Sequence, residues 1–352
     1  MEPILQQFKD RIAEAAASGT PLRIRGGGSK DWYGQELQGE VLDTRGYRGI
    51  VAYDPTELVI TARCGTPLAE IEAALAERNQ MLAFEPPRFG GDSTIGGVIA
   101  SGLSGPRRQS AGAARDFVLG VTLMDGKGEV LRFGGQVMKN VAGYDVSRLL
   151  TGSLGMLGLM LEVSLKVLPK PFFETSLRFA MDETQTIEQL NRWGGQPLPI
   201  SASAWHRDAL TVRLSGAEAA IRAAMLKMGG ERMHDADPFW QALRDQRHEF
   251  FMADDAAGLW RLSVPTIAAP LELKGDQLIE WGGAQRWLRT DAASARRVAE
   301  QAGGHATLFR GGDKSAGVFH PLAPAIAGIH RNLKNAFDPS GIFNRGRMYD
   351  DF

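Results

Sequence analysis

Residues 90–105 read GGDSTIGGVIASGLSG, and six of these sixteen positions are glycine: Gly90, Gly91, Gly96, Gly97, Gly102 and Gly105. A glycine inside regular structure costs ~0.5–1 kcal/mol relative to alanine. Six therefore cost roughly 3–6 kcal/mol, against a net domain stability of only about 5–15 kcal/mol. A backbone this free serves positive φ angles or a ligand lying close against the main chain.

A second glycine run, Arg25-Gly26-Gly27-Gly28-Ser29-Lys30, follows a short strand pattern at 21–25. Successive N–H groups in such a turn make a concave anion site. The run reads as a phosphate cradle, with Ser29 adding a donor, or as a plain mobile turn; the motif alone does not separate the two. Two standard nucleotide fingerprints are missing. There is no G-x-x-x-x-G-K-[ST], and no G-x-G-x-x-G between a strand and a helix. The run Gly152–Gly158 precedes a strand instead of following one. A dinucleotide bound here is bound by another fold.

The chain of 352 residues suits two domains, and composition divides it. Residues 1–170 hold 25 of 42 glycines, whereas all six histidines and six of seven tryptophans lie beyond them. The break falls near Leu168-Pro169-Lys170-Pro171. In the first half, strands are expected at 58–62, 117–124, 129–133 and 159–167. The last alternates Leu159, Leu161, Val163, Leu165 and Val167 with polar residues, as in a half-buried strand. A helix is expected from Thr66-Pro67, with proline at its first position. In the second half, seven strand patterns mix with helices near 184–193, 217–228, 238–250 and 292–302, an α+β layer. A net charge of −1 gives no general attraction to nucleic acid or to an anionic membrane. The single cysteine, Cys64, excludes an internal disulfide and any cysteine-held iron–sulfur or zinc site in this chain alone. It suits a cytoplasmic setting. The first nineteen residues read as a surface helix and not as a signal peptide, and no stretch reaches the ~20 apolar residues of a membrane span. Any membrane association is expected to be peripheral, at the inner face of the membrane, or through a partner.

These motifs carry a resemblance. RGGGS at 25–29 and STIGGVIASGLSG at 93–105 resemble the two pyrophosphate loops of the vanillyl-alcohol-oxidase/PCMH-type FAD-binding family. ARDFVLGVTLMDGKGEVLRFGG at 114–135, KNVAGYD at 139–145, GSLGMLGLMLEVSLKVLP at 152–169 and FDPSGIFNRGRMY at 337–349 follow in the family's order. Within that family, FGGDSTIGGVIASGLSGPRR and RFGGQVMKNVAGYD are similar to the smaller FAD-binding subunits of bacterial glycolate oxidases (glycolate dehydrogenases). The resemblance implies an α+β fold. A PCMH-type FAD-binding domain of two α+β subdomains occupies 1–170, an α+β cap domain 171–330, and a C-terminal segment, 331–352, returns to the FAD domain. It also implies FAD contacts from Arg25, Gly26, Gly27, Gly28, Ser29, Ser93, Thr94, Gly96, Gly97, Ser101, Gly105, Gly158 and Leu159.

Relatives that hold flavin covalently use a histidine at or near the first loop. Here no histidine precedes His206, so non-covalent FAD is expected. Relatives that oxidise D-2-hydroxy acids carry G-D-G-N-x-H and G-E-H-G metal motifs in the cap; neither is present, and no metal ligand is assigned. No residue is assigned as catalytic. Lys139 and Asn140 face flavin or a substrate carboxylate, or brace a turn. Arg115-Asp116 reads as an ion pair under the flavin sheet, and Cys64 as a buried thiol. The resemblance implies a subunit of a multi-subunit glycolate dehydrogenase, beside a larger catalytic flavoprotein and an iron–sulfur subunit, relaying electrons or supporting its sister. Two alternatives stand beside it: a self-sufficient FAD-dependent dehydrogenase of another small 2-hydroxy acid, and a flavin-free assembly scaffold.

Overall fold

The protein is described from a computed structural model, covering residues 2–135, 145–253 and 257–352. The helix Pro3–Ser18 starts with proline in its first turn and ends on Gly19, whose left-handed φ of 71° lets its N–H close on the Ala15 carbonyl. Phe8, Ile12 and Ala15 bury one face of this helix against Leu22, Leu42, Leu159 and Leu161. Leu22–Arg25 then pairs in parallel with Glu40–Asp43.

Five antiparallel strands form the next sheet, in the order Ile50–Asp54, Val59–Arg63, Leu159–Lys166, Val118–Met124 and Val130–Gly134. The helices Leu68–Ala76 and Ile95–Ser101 cover it, Ile71, Leu75, Ile95, Val98 and Ile99 packing on Ile60, Val121 and Val163. Leu159–Lys166 is more than half-buried: its Ser164 is also covered and shares a 2.8 Å hydrogen bond with Thr61. Pro67 is the N-cap of its helix and not the first helical residue.

After Pro169 the chain enters a second sheet of eight antiparallel strands. In spatial order these are Glu231–Met233, Phe173–Ala180, Ala209–Gly216, Ile200–His206, Gln277–Glu280, Gln285–Arg289, Leu259–Ser263 and His305–Arg310. The helices Glu183–Gly194 and Glu218–Met228 pack on it through Leu190, Trp193, Ile221 and Ala224. Ala292–Gln301 does so through Ala295 and Val298. All seven expected strands are present. The helix expected over 238–250 is broken: Asp237–Arg244 and Glu249–Met252 are separate, with Gln246 at a φ of 53° between them.

A further core joins the two halves. Trp240, Leu243, Phe250 and Phe251 meet sheet residues Ala202, Leu278, Trp287 and Phe309, together with Tyr33, Leu103 and Leu154 from the glycine-rich half. A buried ionic knot lies across the same junction. Glu85 accepts from the Arg107 amide at 2.8 Å and from Arg213 Nη2 at 3.0 Å, while Arg107 Nη2 reaches Glu174 at 2.6 Å. Burial alone would raise the Glu85 carboxyl; Arg213 and Arg107 outweigh it and hold it below the ordinary value.

The tail closes the fold. After the helix Pro324–Phe337, Leu22 N–H donates to the Ile342 carbonyl at 2.7 Å and Asn344 N–H to the Leu22 carbonyl at 2.8 Å. Among the described residues, no helix is long and apolar enough to cross a membrane.

Candidate functional site

The two glycine loops lie against one another. A Cβ at Gly27 would fall 1.5 Å from the Asp92 carbonyl oxygen, and one at Gly26 would fall 2.3 Å from Thr94 Oγ1. No other residue type permits that approach. Gly28 turns under the Arg25 guanidinium at a φ of 72°, and Arg25 Nε is held by Asp31 at 2.8 Å.

Both loops line one cavity of about 90 Å³. Arg25, Gly26, Gly27, Gly28, Ser29 and Lys30 form one wall, and Thr94, Gly97 and Ser101 the other. Thr94 caps the helix Ile95–Ser101 by accepting from Gly97 N–H at 3.3 Å. At Gly97 an added Cβ would meet only Thr94 Oγ1, at 3.4 Å, so the space beside it is open.

Several donors converge on this cavity. The amides of Gly27, Gly28, Ser29 and Lys30 donate to nothing among the described residues. Lys30 Nζ lies 2.8 Å from Ser93 Oγ and 3.2 Å from Ser29 Oγ, bridging the loops, and no carboxylate among the described residues pairs with it. Burial pushes its ammonium down to about 8. A half-buried cation beside unpaired amides is stabilised by an anion that completes it. The small space and this donor set suit a short, multiply charged linker such as a diphosphate.

The tail supplies walls that sequence reasoning did not assign. Asn344 and Arg347 line the cavity. Asn344 Oδ1 accepts from Ile24 N–H at 2.8 Å, and its Nδ2 donates to the Leu154 carbonyl at 2.5 Å. Arg347 donates to the carbonyls of Asp31, at 2.6 Å, and Gln35, and burial lowers its guanidinium to about 10. The signal lay in Asn344-Arg345-Gly346-Arg347, polar residues within a segment otherwise expected only to pack.

Five of the expected contacts do not line this cavity. Gly96 faces Cys64: its Cβ would fall 2.7 Å from Cys64 Cβ, and its N–H donates to the Cys64 carbonyl at 2.9 Å. Gly105 abuts the Glu85 carbonyl and accepts from Trp281 Nε1 at 3.1 Å. Gly158 fits beneath Met124 and Leu123, and Leu159 is buried under the N-terminal helix. Ser93, almost wholly covered, lines a different groove on the far side of the loop and accepts from Lys30 Nζ. Arg115-Asp116 is exposed, 3.9 Å apart. Cys64 is buried and its thiol is pushed up by burial, which keeps it protonated and inert. Lys139 and Asn140 lie outside the described residues.

Beyond the first loop the space toward the larger sheet is filled with rings. Trp32 lies 5.1 Å from both Phe89 and Phe309, and Phe309 lies 4.8 Å from Trp287. Tyr33 packs 5.3 Å from Phe309 and accepts from Arg261 Nη2 at 3.2 Å. Arg310 covers Trp32 at 4.7 Å. A larger groove, about 790 Å³, runs on the other side of the second loop between Leu68, Ala73, Phe89 and Asp245. Arg88, Arg247 and Glu72 also line it.

The profile of a family described as "FAD binding domain" matches residues 5–134. The chain is 49% identical over 346 residues to the glycolate oxidase subunit GlcE of Escherichia coli (strain K12), covering 98% of this chain and 97% of that protein. It is 34% identical over 122 residues to the glycolate oxidase subunit GlcD of Bacillus subtilis (strain 168), 35% of this chain and 26% of the other. Among solved structures, an alkyldihydroxyacetonephosphate synthase superposes with a TM-score of 0.65, covering 96% of this chain and 73% of that one. At 14% identity, that likeness concerns the fold alone.

Proposed function

This chain belongs to the family of the glycolate oxidase subunit GlcE, and from that premise we propose that it is the FAD-binding subunit of a multi-subunit glycolate dehydrogenase. The observation that carries the reading is the Lys30 cation, which has no carboxylate partner among the described residues, beside the four unpaired amides between two interlocked glycine loops. Bound there, FAD would supply an acceptor of hydride that passes electrons on singly.

The chain's own residues hold the cofactor. The amides of 27–30, the Ser29 hydroxyl and the Lys30 ammonium bind the diphosphate, and Gly97 leaves the room for it. Thr94 fixes the second loop by capping. Arg347 and Asn344 hold the tail against the first loop, so the cradle keeps its shape without ligand. Attachment is non-covalent, since no histidine lies at either loop. The division into an FAD domain at 1–170, a cap at 171–330 and a returning segment at 331–352 is supported by the change of sheet after Pro169 and by the pairing of the tail with Leu22.

Glycolate oxidation to glyoxylate belongs, in this reading, to a larger sister flavoprotein, with an iron–sulfur subunit carrying the electrons away. Support comes from the sequence, which lacks the G-D-G-N-x-H and G-E-H-G motifs carried by relatives that oxidise D-2-hydroxy acids. This chain then relays electrons or supports its sister. The test is an absorption spectrum before and after anaerobic glycolate addition. The isolated protein, loaded with FAD, should stay yellow, and the flavin should bleach only with the co-expressed neighbours. Rapid bleaching of the isolated chain would sink the division of labour. A colourless protein that cannot be reconstituted would sink the FAD assignment itself.

A further inference from the structure

A second cluster of ligating side chains lies apart from the glycine loops, and none of it lines their cavity. His206 ends the strand Ile200–His206, while His248 is the N-cap of the helix Glu249–Met252 and Glu249 its first residue. One ligand atom from each of these three lies within 4.8 Å of the other two. The broken helix over 237–252 makes this possible, because the turn at Gln246 carries His248 back toward the sheet.

Asp276 stands behind His206. Both of its oxygens lie 3.0 Å from His206 Nε2. A carboxylate on one ring nitrogen keeps the hydrogen there and leaves the lone pair on the other. That other nitrogen, Nδ1, faces Glu249 Oε1 at 3.4 Å. Two acceptors so placed repel each other unless a proton or a metal ion lies between them. The His248 ring closes the third side, edge to face at 5.2 Å from His206. Phe250 and Phe239 wall the two rings, each 5.6 Å from its histidine.

We propose that His206, His248 and Glu249 bind a first-row divalent cation of the zinc class, with Asp276 as the carboxylate that orients His206. Two imidazoles and a carboxylate are a recurrent zinc set that leaves a fourth position for water. Glu249, with 66% of its side chain exposed, puts that position at the solvent edge. Two local contacts must yield. Arg207, itself exposed, touches Asp276 at 3.0 Å and Glu249 at 3.6 Å and swings outward as the cation neutralises Glu249. The Phe250 amide approaches His248 Nδ1 at 3.3 Å; ligation through Nε2 moves the ring hydrogen to Nδ1 and gives up that long contact. The bound ion would tie the end of the 200–206 strand to the 245–249 turn.

The experiment uses the untagged full chain, stripped with a chelator and titrated with Co²⁺ as the spectroscopic probe. One equivalent should produce the intense visible bands of a four-coordinate ion, and Zn²⁺ should displace them. His206→Asn and His248→Asn should each abolish the bands, and Asp276→Asn should weaken Zn²⁺ binding roughly 10–100-fold. Circular dichroism checks folding; where His206→Asn unfolds, His248→Asn and Glu249→Gln carry the test. Failure of Co²⁺ to give these bands at millimolar concentration, or a stoichiometric site that survives both folded histidine variants, overturns the proposal. In that case the proton, not a metal, lies between His206 and Glu249.

Discussion

Lys30→Met separates what the first loop does for folding from what it does for binding. The Lys30 ammonium is pushed down from 10.5 to about 8 by burial, with only the Ser29 and Ser93 hydroxyls beside it. That gap corresponds to roughly 3 kcal/mol, an upper figure for a side chain that solvent still partly reaches. The folded value lies below the unfolded one, so the unfolded chain binds more protons between about pH 8 and 10.5. Stability therefore rises with pH across that window, and the penalty is fully present below it. Removing the charge should stabilise the flavin-free protein at neutral pH by about 1–3 kcal/mol in denaturant titrations, and the gain should fade toward pH 10.5. FAD binding should move the other way. A charge-assisted hydrogen bond is worth about 1.5–3 kcal/mol, so Lys30→Met should weaken FAD roughly 10–150-fold. Bound diphosphate raises the Lys30 value, so wild-type affinity should be flat below about pH 8 and weaken by up to tenfold per pH unit above it. The variant should show no such slope. Quenching of FAD fluorescence on titration, repeated from about pH 7 to 9.5, reads all of this. A variant that binds FAD within about twofold of wild type, with the same pH profile, would refute the assignment of Lys30 to the diphosphate.

Gly27→Ala should lose both FAD affinity and stability, because its Cβ meets the Asp92 carbonyl oxygen at 1.5 Å and the loops must part. Gly97→Leu should lose FAD affinity by more than about tenfold, because its side chain enters the space left open beside Thr94 Oγ1; equilibrium unfolding beside the FAD titration reads affinity and stability separately for the two glycines. Glu280 is buried, accepts from Trp287 Nε1 at 2.7 Å and Gln285 Nε2 at 3.0 Å, and is raised to about 7 by burial. Its folded value lies above its unfolded one, so stability falls as pH rises from about 4.5 to 7; Glu280→Gln should remove about 3 kcal/mol of that fall relative to wild type. Lys334 Nζ holds Asp338 and the Met156 and Phe343 carbonyls, each at 2.7 Å, so Lys334→Met should cost about 3–5 kcal/mol in urea unfolding by stranding Asp338.

What the chain revealed before folding, and what it withheld, follows from the range of each interaction. The strands of the larger sheet were legible because Ile200–His206 and Ala209–Gly216 carry their pattern and their turn within a few residues. At 25–30 the sequence showed a run of consecutive amides and left an anion cradle and a plain turn both open. The limits appear where one residue type answers two demands. Gly27 and Gly96 look alike in sequence, yet Gly27 admits a neighbouring loop and Gly96 admits Cys64. Only the partner across the fold tells them apart. The same holds for the cations. Arg347 reaches the cradle from the far end of the chain, and His206 meets His248 only because a helix that looks continuous over 238–250 breaks at Gln246. Lys30 is the instructive case, because its neighbours are local but its cost is not. Ser29 is adjacent, but Ser93 comes from the other loop, and the burial that lowers the ammonium needs both loops in place. A folded chain that keeps such a cation without a carboxylate gives up stability at every neutral pH. That cost is what an anionic ligand would recover on binding, so this destabilised cation is expected to respond strongly to FAD.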